Sequence, residues 1–158
     1  LSYRKAETDP IELLEGDLAA FRGRFTSAGL ELRFENRLTE TPLIPADEHR
    51  LSQLFRNLLR NSLQYTDPGG ALTVRVTTEG SRLLIDFEDT APSVPPEALP
   101  RRFERLYRVE ASRSRNTGGA GLGLAICRNI AAAHGGSIEA LPSTLGGLWV
   151  QIRLPIPS

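Results

Sequence analysis

Residues 118 to 123 form the segment GGAGLG, in which four of six positions are glycine. An apolar pattern with helical periodicity follows it, in LAICRNIAAAHGG. Glycine there costs chain entropy, so we expect the backbone to need a positive φ or a close approach to another group. The unpaired N–H groups at a helix start suit an anion such as phosphate. The segment therefore predicts a phosphate-binding loop, with a flexible surface loop as the alternative.

Two common phosphate-binding motifs do not fit this spacing. A dinucleotide-binding G-x-G-x-x-G motif that begins at Gly119 requires glycine at position 124, which is Leu124. A Walker A motif from Gly118 to Gly123 requires lysine next, and Leu124 and Ala125 follow instead. The loop therefore belongs to neither class.

A second candidate site is the polar face of a helix predicted from about residue 47 to 65. Its members recur at helical spacing and are Arg50, Gln53, Asn57, Asn61 and Gln64. A solvated face more often carries Glu, Lys or Arg, because asparagine is a poor helix former. Amide oxygens suit Mg²⁺, which takes its other ligands from water and substrate phosphates. The face is therefore a candidate metal and phosphate site, with a solvated surface as the alternative.

Asp89 ends the predicted strand RLLIDFED, where the chain leaves the sheet. A carboxylate there can accept a hydrogen bond from an exocyclic amine, as acidic side chains do with base amino groups. An acidic residue at a strand end also commonly forms a turn, which is the alternative.

The elements that would position these residues alternate between helices and hairpins. A first helix is predicted after Asp9, an N-cap residue, with Pro10 at its first position. Its apolar stripe is Leu14, Leu18, Phe21 and Phe25. Alternating apolar runs predict a strand at 30–36 and hairpins at 71–89 and 137–155.

This order predicts an α+β two-layer sandwich, with a mixed, mostly antiparallel sheet and about three helices on one face. The long irregular segment from about 91 to 119 is rich in Pro, Arg and Ser, which predicts a functional lid.

Composition is that of one soluble globular domain, with 158 residues, 40% hydrophobic and 24% charged. The formal net charge of zero argues against nucleic acid as a partner. Lys5 is the only lysine, so a cation that binds phosphate would be arginine. Cys127 lies in an apolar helical pattern and is predicted to be buried. No segment resembles a signal peptide or membrane span, and the start at Leu1 without any methionine suggests a piece of a longer protein.

Taken together, these features resemble the ATP-binding catalytic domain of bacterial sensor histidine kinases, in the superfamily of gyrase, MutL and a heat-shock chaperone. The N box of that family is matched by RLSQLFRNLLRNSLQYT, and the F box by FERLYR. The second glycine box is matched by GGAGLGLAI, and the segment in the place of the first glycine box is DTAPS. The run LPRRFERLYR to AAAHGG looks closest to envelope-stress sensor kinases. The resemblance implies a Bergerat-type fold, with residues 1–9 left from an upstream dimerisation region and 10–158 as the ATP-binding domain.

The resemblance also implies roles for individual residues. Asn61 would hold Mg²⁺, and Asn57 would take a catalytic place beside the phosphates of ATP. Asp89 would bind the adenine amino group, Tyr65 would contact the nucleotide, and Arg108 would reach the γ-phosphate as a catalytic residue. The other implied ATP contacts are Gln64, Ala91, Tyr107, Gly119, Gly121, Leu122, Gly123 and Leu124.

Several positions depart from the family pattern. Ala91 and Ser93 replace the two glycines of the first glycine box, and Gln64 stands where the N box usually carries lysine. In the late Gly-Thr pair of the family, Leu148 follows Gly147 and the hydroxyl is missing. Candidates to replace the missing N-box cation are Arg108, Arg113 and Arg115.

The resemblance implies a protein-histidine kinase whose phosphoacceptor lies on a separate upstream dimerisation domain. His49 and His134 lack the sequence setting of such an acceptor. The implied parent is a homodimer in the bacterial inner membrane that holds this domain in the cytoplasm and signals to a response regulator. Two alternatives stay open, an autonomous ATPase of the gyrase or chaperone branch and a degenerate protein-interaction module that binds no nucleotide.

Overall fold

The computed structural model describes residues 3–90, 123–143 and 147–157, which form a two-layer α+β sandwich. The helices in these ranges are α1 (Pro10–Ser27), α2 (Glu48–Tyr65) and α3 (Gly123–Ala133). The strands are β1 (Ala6–Thr8), β2 (Glu31–Asn36), β3 (Ile44–Ala46), β4 (Ala71–Glu79), β5 (Arg82–Asp89), β6 (Ser137–Pro142) and β7 (Leu148–Pro155). None of these three helices is long and apolar enough to cross a membrane. The predicted fold class is confirmed.

Five strands form one sheet in the order β2-β4-β5-β7-β6. The β2–β4 pair is parallel and the other neighbouring pairs are antiparallel, as expected for a mixed, mostly antiparallel sheet. The β4–β5 and β6–β7 pairs are the two predicted hairpins. The register pairs Leu72 with Asp89, so the end of β5 lies beside the start of β4.

The helices pack on one face of this sheet, and the apolar core lies between the two layers. Val74, Phe87 and Val150 are cross-strand neighbours on β4, β5 and β7, and all three are buried. Phe87 stacks on Phe55 of α2, with 6.5 Å between ring centroids. Cys127 of α3 is buried in the same core, as predicted. This packing fixes α2 over β5, the strand that ends in Asp89.

Both long helices begin at an aspartate whose carboxylate accepts backbone hydrogen bonds. Asp9 accepts from two N–H groups in the first turn of α1, each at 3.0 Å. Asp47 accepts from the N–H of Arg50 at 3.1 Å. These bonds satisfy donors that a helix leaves unpaired at its start. The predicted starts of α1 and α2 are confirmed, and the helices bury their predicted apolar stripes.

Two short strands, β1 and β3, were not predicted, and they pair antiparallel in a separate two-stranded sheet. Beside this sheet, the N–H of Arg4 donates to Oδ2 of Asp47 at 2.8 Å. The N–H of Asp47 donates to Nε2 of the buried His134 at 3.1 Å, so the proton of this imidazole lies on Nδ1, which donates to the Ile130 carbonyl. The N-terminal segment is thereby bound to the start of α2 and the end of α3. The domain boundary near residue 10 stays a prediction.

Candidate nucleotide-binding site

The polar face of α2 is partly exposed along its whole length, while the opposite face is buried. The polar residues are those predicted, and they are Arg50, Gln53, Asn57, Asn61 and Gln64. The buried ones are Leu51, Leu54, Phe55, Leu58, Leu59 and Ser62. Apolar burial therefore sets the rotation of the helix and turns the amides outward. The predicted division of the two faces is confirmed.

Asp89 ends β5 underneath the second half of α2 and is only 4% exposed. Its Oδ1 accepts the backbone N–H of Leu148 at 2.9 Å. The hydroxyl of Ser62, the residue after Asn61 on α2, donates to Oδ2 at 3.4 Å. The two bonds hold a carboxylate at a fixed orientation beside the amide-bearing helix. Such a group can accept further hydrogen bonds, because each ionised carboxylate oxygen has two lone pairs.

Gly147 lies directly against Asp89 and leaves no room for a side chain. A Cβ atom at position 147 would overlap both the backbone oxygen and Oδ1 of Asp89, and would lie 2.7 Å from the carbonyl carbon of Asp89. Only glycine fits there without displacing Asp89 or the start of β7. From the sequence, the Gly147–Leu148 pair was noted only for its missing hydroxyl; the structure shows that the glycine and the Leu148 N–H both position Asp89.

Asn57 and Asn61 lie one turn apart on the polar face of α2. The side-chain oxygen of Asn57 accepts a hydrogen bond from Nη1 of Arg60 at 2.9 Å. In the described ranges, no hydrogen bond engages the side chain of Asn61, which leaves its amide oxygen available to a ligand. Arg60 was not among the predicted site residues. Its i,i+3 spacing from Asn57 is the signal that could have identified it.

The remaining predicted residues fall into three groups. Gln64 is exposed and Tyr65, the last residue of α2, is half-buried. Gly123 and Leu124 form the start of α3, as the predicted loop-to-helix order requires. Outside the described residues lie the predicted lid at 91–119 and the candidates Ala91, Tyr107, Arg108, Gly119, Gly121 and Leu122.

The described side chains fit a nucleotide with a divalent cation. Asp89 is a buried acceptor held beside α2, and two asparagine amides lie on the polar face of the same helix. In the ranges that the structure describes, no group of three or more His, Cys, Asp and Glu side chains could hold a metal ion. Mg²⁺ bound with a nucleotide does not need such a group, because phosphates and waters supply most of its ligands. Asn61 carries an amide oxygen of the kind that Mg²⁺ accepts as a ligand, and its role as the metal ligand stays a prediction.

Comparison with known proteins identifies the family of this chain. The sequence profile of the family described as "Histidine kinase-, DNA gyrase B-, and HSP90-like ATPase" matches residues 46–158. The signal transduction histidine-protein kinase BaeS of Escherichia coli is 47% identical over 156 residues, which cover 99% of this chain and 33% of that protein. The sensor protein SrrB of Staphylococcus aureus is 34% identical, over 99% of this chain and 27% of that protein. The chain thus spans about a third of the length of these relatives.

Solved structures agree on the fold. The catalytic domain of the histidine kinase ThkA superposes with a TM-score of 0.77 at 23% identity, covering 97% of this chain and 96% of that one. Full-length ShkA in complex with AMPPNP gives a TM-score of 0.77 at 28% identity, covering 100% of this chain and 32% of that one.

Proposed function

Because this chain belongs to the histidine kinase-, DNA gyrase B- and HSP90-like ATPase family, we propose that it is the ATP-binding catalytic domain of a sensor histidine kinase. It presents Mg-ATP for transfer of the γ-phosphoryl group to a histidine on an upstream dimerisation domain. The observation that carries the proposal is the buried carboxylate of Asp89, held by the Leu148 N–H next to the amide face of α2. The 47% identity to BaeS supports the kinase branch of the family.

The adenine end of the site is Asp89. Its carboxylate accepts a hydrogen bond from the exocyclic amine of adenine, which has a donor where guanine has a carbonyl oxygen. A guanine carbonyl would face the carboxylate without a proton between them, in a buried setting where unpaired polar groups are costly. The site therefore selects ATP over GTP.

The phosphate end of the site is the second half of α2. Asn61 supplies an amide oxygen to Mg²⁺, which when bound would neutralise charge on the phosphate oxygens. Asn57 and Gln64 lie beside the phosphates, and Tyr65 contacts the nucleotide. In this proposal Arg108 would bind the γ-phosphate, and residues of the lid and glycine loop would provide further nucleotide contacts. The residues of this loop and lid are Ala91, Tyr107, Gly119, Gly121, Leu122, Gly123 and Leu124.

The acceptor of the phosphoryl group is an imidazole rather than water. Asn57, one turn before Asn61, is the side chain proposed to lie beside the phosphates. Its amide cannot take a proton from an attacking water at neutral pH. A general base accelerates a reaction roughly 10²–10⁴-fold. Because Asn57 cannot act as one, hydrolysis of bound ATP by water should be slow. Phosphoryl transfer depends mainly on positioning, so a histidine delivered in line can still react. This argues against an autonomous ATPase.

The relatives BaeS and SrrB are about three to four times longer than this chain. We propose that the complete protein is a homodimer anchored in the bacterial inner membrane with this domain in the cytoplasm, and that it passes its phosphoryl group to a response regulator.

Phosphotransfer in trans tests the proposal. The purified chain, mixed with labelled Mg-ATP and the parent's dimerisation domain, should label that domain and release almost no phosphate when alone. Asn61→Ala should abolish the labelling, whereas Arg33→Ala, a change at an exposed residue of β2, should not. Steady phosphate release by the chain alone, abolished by Asn61→Ala, would establish the ATPase alternative instead. A folded chain that binds no Mg-ATP would establish the nucleotide-free module.

A further inference from the structure

The three arginines of α2 have different partners. Arg56 Nε donates to Oδ1 of the buried Asp17 at 2.9 Å and ties α2 to α1. Arg50 lies in the first turn, where it donates to Gln53 at 3.2 Å and stands 5.8 Å from a tyrosine ring centroid of the N-terminal segment. Arg60 instead donates to Asn57, a residue of the proposed nucleotide site. Two of the three charges are thus engaged in holding the fold, and the third is held at the site.

The bond from Arg60 fixes the orientation of the Asn57 carboxamide. A guanidinium has donors and no acceptor, so the Asn57 atom that faces it must be the oxygen. The Nδ2 group of Asn57 then points away from Arg60, and no hydrogen bond within the described residues engages its two N–H donors. Donors of this kind suit phosphate oxygens, whereas an oxygen already engaged with a cation is a poor ligand for Mg²⁺. The arrangement divides the roles of the two asparagines, with Asn57 for phosphate and Asn61 for the metal.

Arg60 is also placed to meet phosphate itself. It is exposed, and its bond to Asn57 uses one of the five N–H donors of its guanidinium. It lies one helical turn before Gln64, so the two side chains are neighbours on the surface of α2. Gln64 is neutral, and α2 carries no other basic residue in its last two turns. Arg60 therefore supplies the positive charge at this end of the helix.

We propose that Arg60 is a phosphate-positioning residue of this chain, which orients the donors of Asn57 and brings a guanidinium to the polyphosphate of the nucleotide. The inference rests on the proposed function, since it requires that a nucleotide bind along α2. It adds a residue of this particular chain to that site.

Binding of ligands with different numbers of phosphates tests the inference. Affinities of Mg-ATP and adenosine are measured by calorimetry for the wild-type chain, Arg60→Gln and Arg33→Gln. The last is the control, because Arg33 is an exposed arginine paired with Glu31 on β2 and its loss changes the net charge equally. Arg60→Gln should weaken Mg-ATP about 10-fold, as for a lost charged hydrogen bond, and leave adenosine unchanged. Arg33→Gln should change neither.

Rescue separates positioning from a merely structural effect. In Arg60→Gln/Gln64→Lys, the new ammonium stands one turn further along α2, and Mg-ATP affinity should recover most of the loss. An unchanged Mg-ATP affinity in Arg60→Gln, or an equal loss for adenosine, would overturn the inference while the proposed function stands. If the wild-type chain binds adenosine and Mg-ATP equally, the inference also fails. If it binds neither, the proposed function fails with it.

Discussion

Gly147→Ala is predicted to disable adenine recognition through a single methyl group. The added Cβ would lie 2.7 Å from the carbonyl carbon of Asp89, while ordinary contact begins at 3.4 Å. The two groups must therefore separate by at least roughly 0.7 Å, the difference between those distances, because the backbone oxygen and Oδ1 of Asp89 lie closer still to the added Cβ. The bond between the Leu148 N–H and Oδ1 of Asp89, now 2.9 Å, would lengthen toward about 3.6 Å if Asp89 moves away, where it no longer counts as a hydrogen bond.

The expected loss follows from that displacement. Overpacking of this kind typically destabilises a fold by about 1–3 kcal/mol. A carboxylate moved out of line with the adenine amine forfeits a charged hydrogen bond, worth about 1.5–3 kcal/mol, or about 10- to 100-fold in affinity. The affinity for Mg-ATP should therefore fall by at least 10-fold in protein that remains folded.

Thermal unfolding and calorimetric titration with Mg-ATP measure the two effects separately. Gly23→Ala is the matched control, because Gly23 lies within α1 and a Cβ there meets nothing within 4 Å. That change should stabilise the chain by about 0.5–1 kcal/mol through helix propensity and leave ATP binding unaltered. Wild-type affinity in Gly147→Ala would refute the role assigned to this glycine.

Three further predictions concern Thr66, Asp47 and the segment 91–119. The hydroxyl of Thr66 is buried without a hydrogen-bond partner in the described ranges, so Thr66→Val should raise the free energy of unfolding in urea by about 1 kcal/mol; a decrease would contradict this. The N–H groups of Arg4 and Arg50 hold the pKa of Asp47 below its ordinary value, so its stabilisation is present above about pH 4 and lost as the pH falls through the lower folded-state pKa. Asp47→Asn should flatten that part of the stability curve, and an unchanged curve would count against the argument. Amide exchange at 91–119 should slow when a Mg-ATP analogue binds; full protection without nucleotide would show that this segment is no lid.

Local chemistry explains why the helices and hairpins could be predicted from the sequence. Asp9 and Pro10 form a helix start that needs no partner from elsewhere in the chain. The period of the apolar residues in α2 fixes which side is buried, and hence where Asn57 and Asn61 point. Asp89 was predicted as an acceptor because it ends a strand, and the structure places it there in a buried position.

Features that depend on distant residues could not be predicted in this way. The strands β1 and β3 have three residues each, too few for an alternating pattern, and their pairing joins segments almost 40 residues apart. The need for glycine at position 147 comes from Asp89 on a neighbouring strand. The burial of His134 depends on the Asp47 N–H, which lies 87 residues away in the chain. Arg60 has a local partner, Asn57, three residues earlier on the same helix. It was missed for another reason, because an exposed arginine on a helix has the same sequence pattern as a solvated one.

A calorimetric comparison of Mg-ATP with Mg-GTP tests the central claim most directly. The buried Asp89 carboxylate should accept the adenine amine and reject the guanine carbonyl, so ATP should bind at least 10-fold more tightly than GTP. Asp89→Asn should weaken ATP by about 1–3 kcal/mol and reduce that preference, because the amide replaces a charged acceptor. Equal affinity of the wild-type chain for the two nucleotides, or no effect of Asp89→Asn on ATP, would contradict the account.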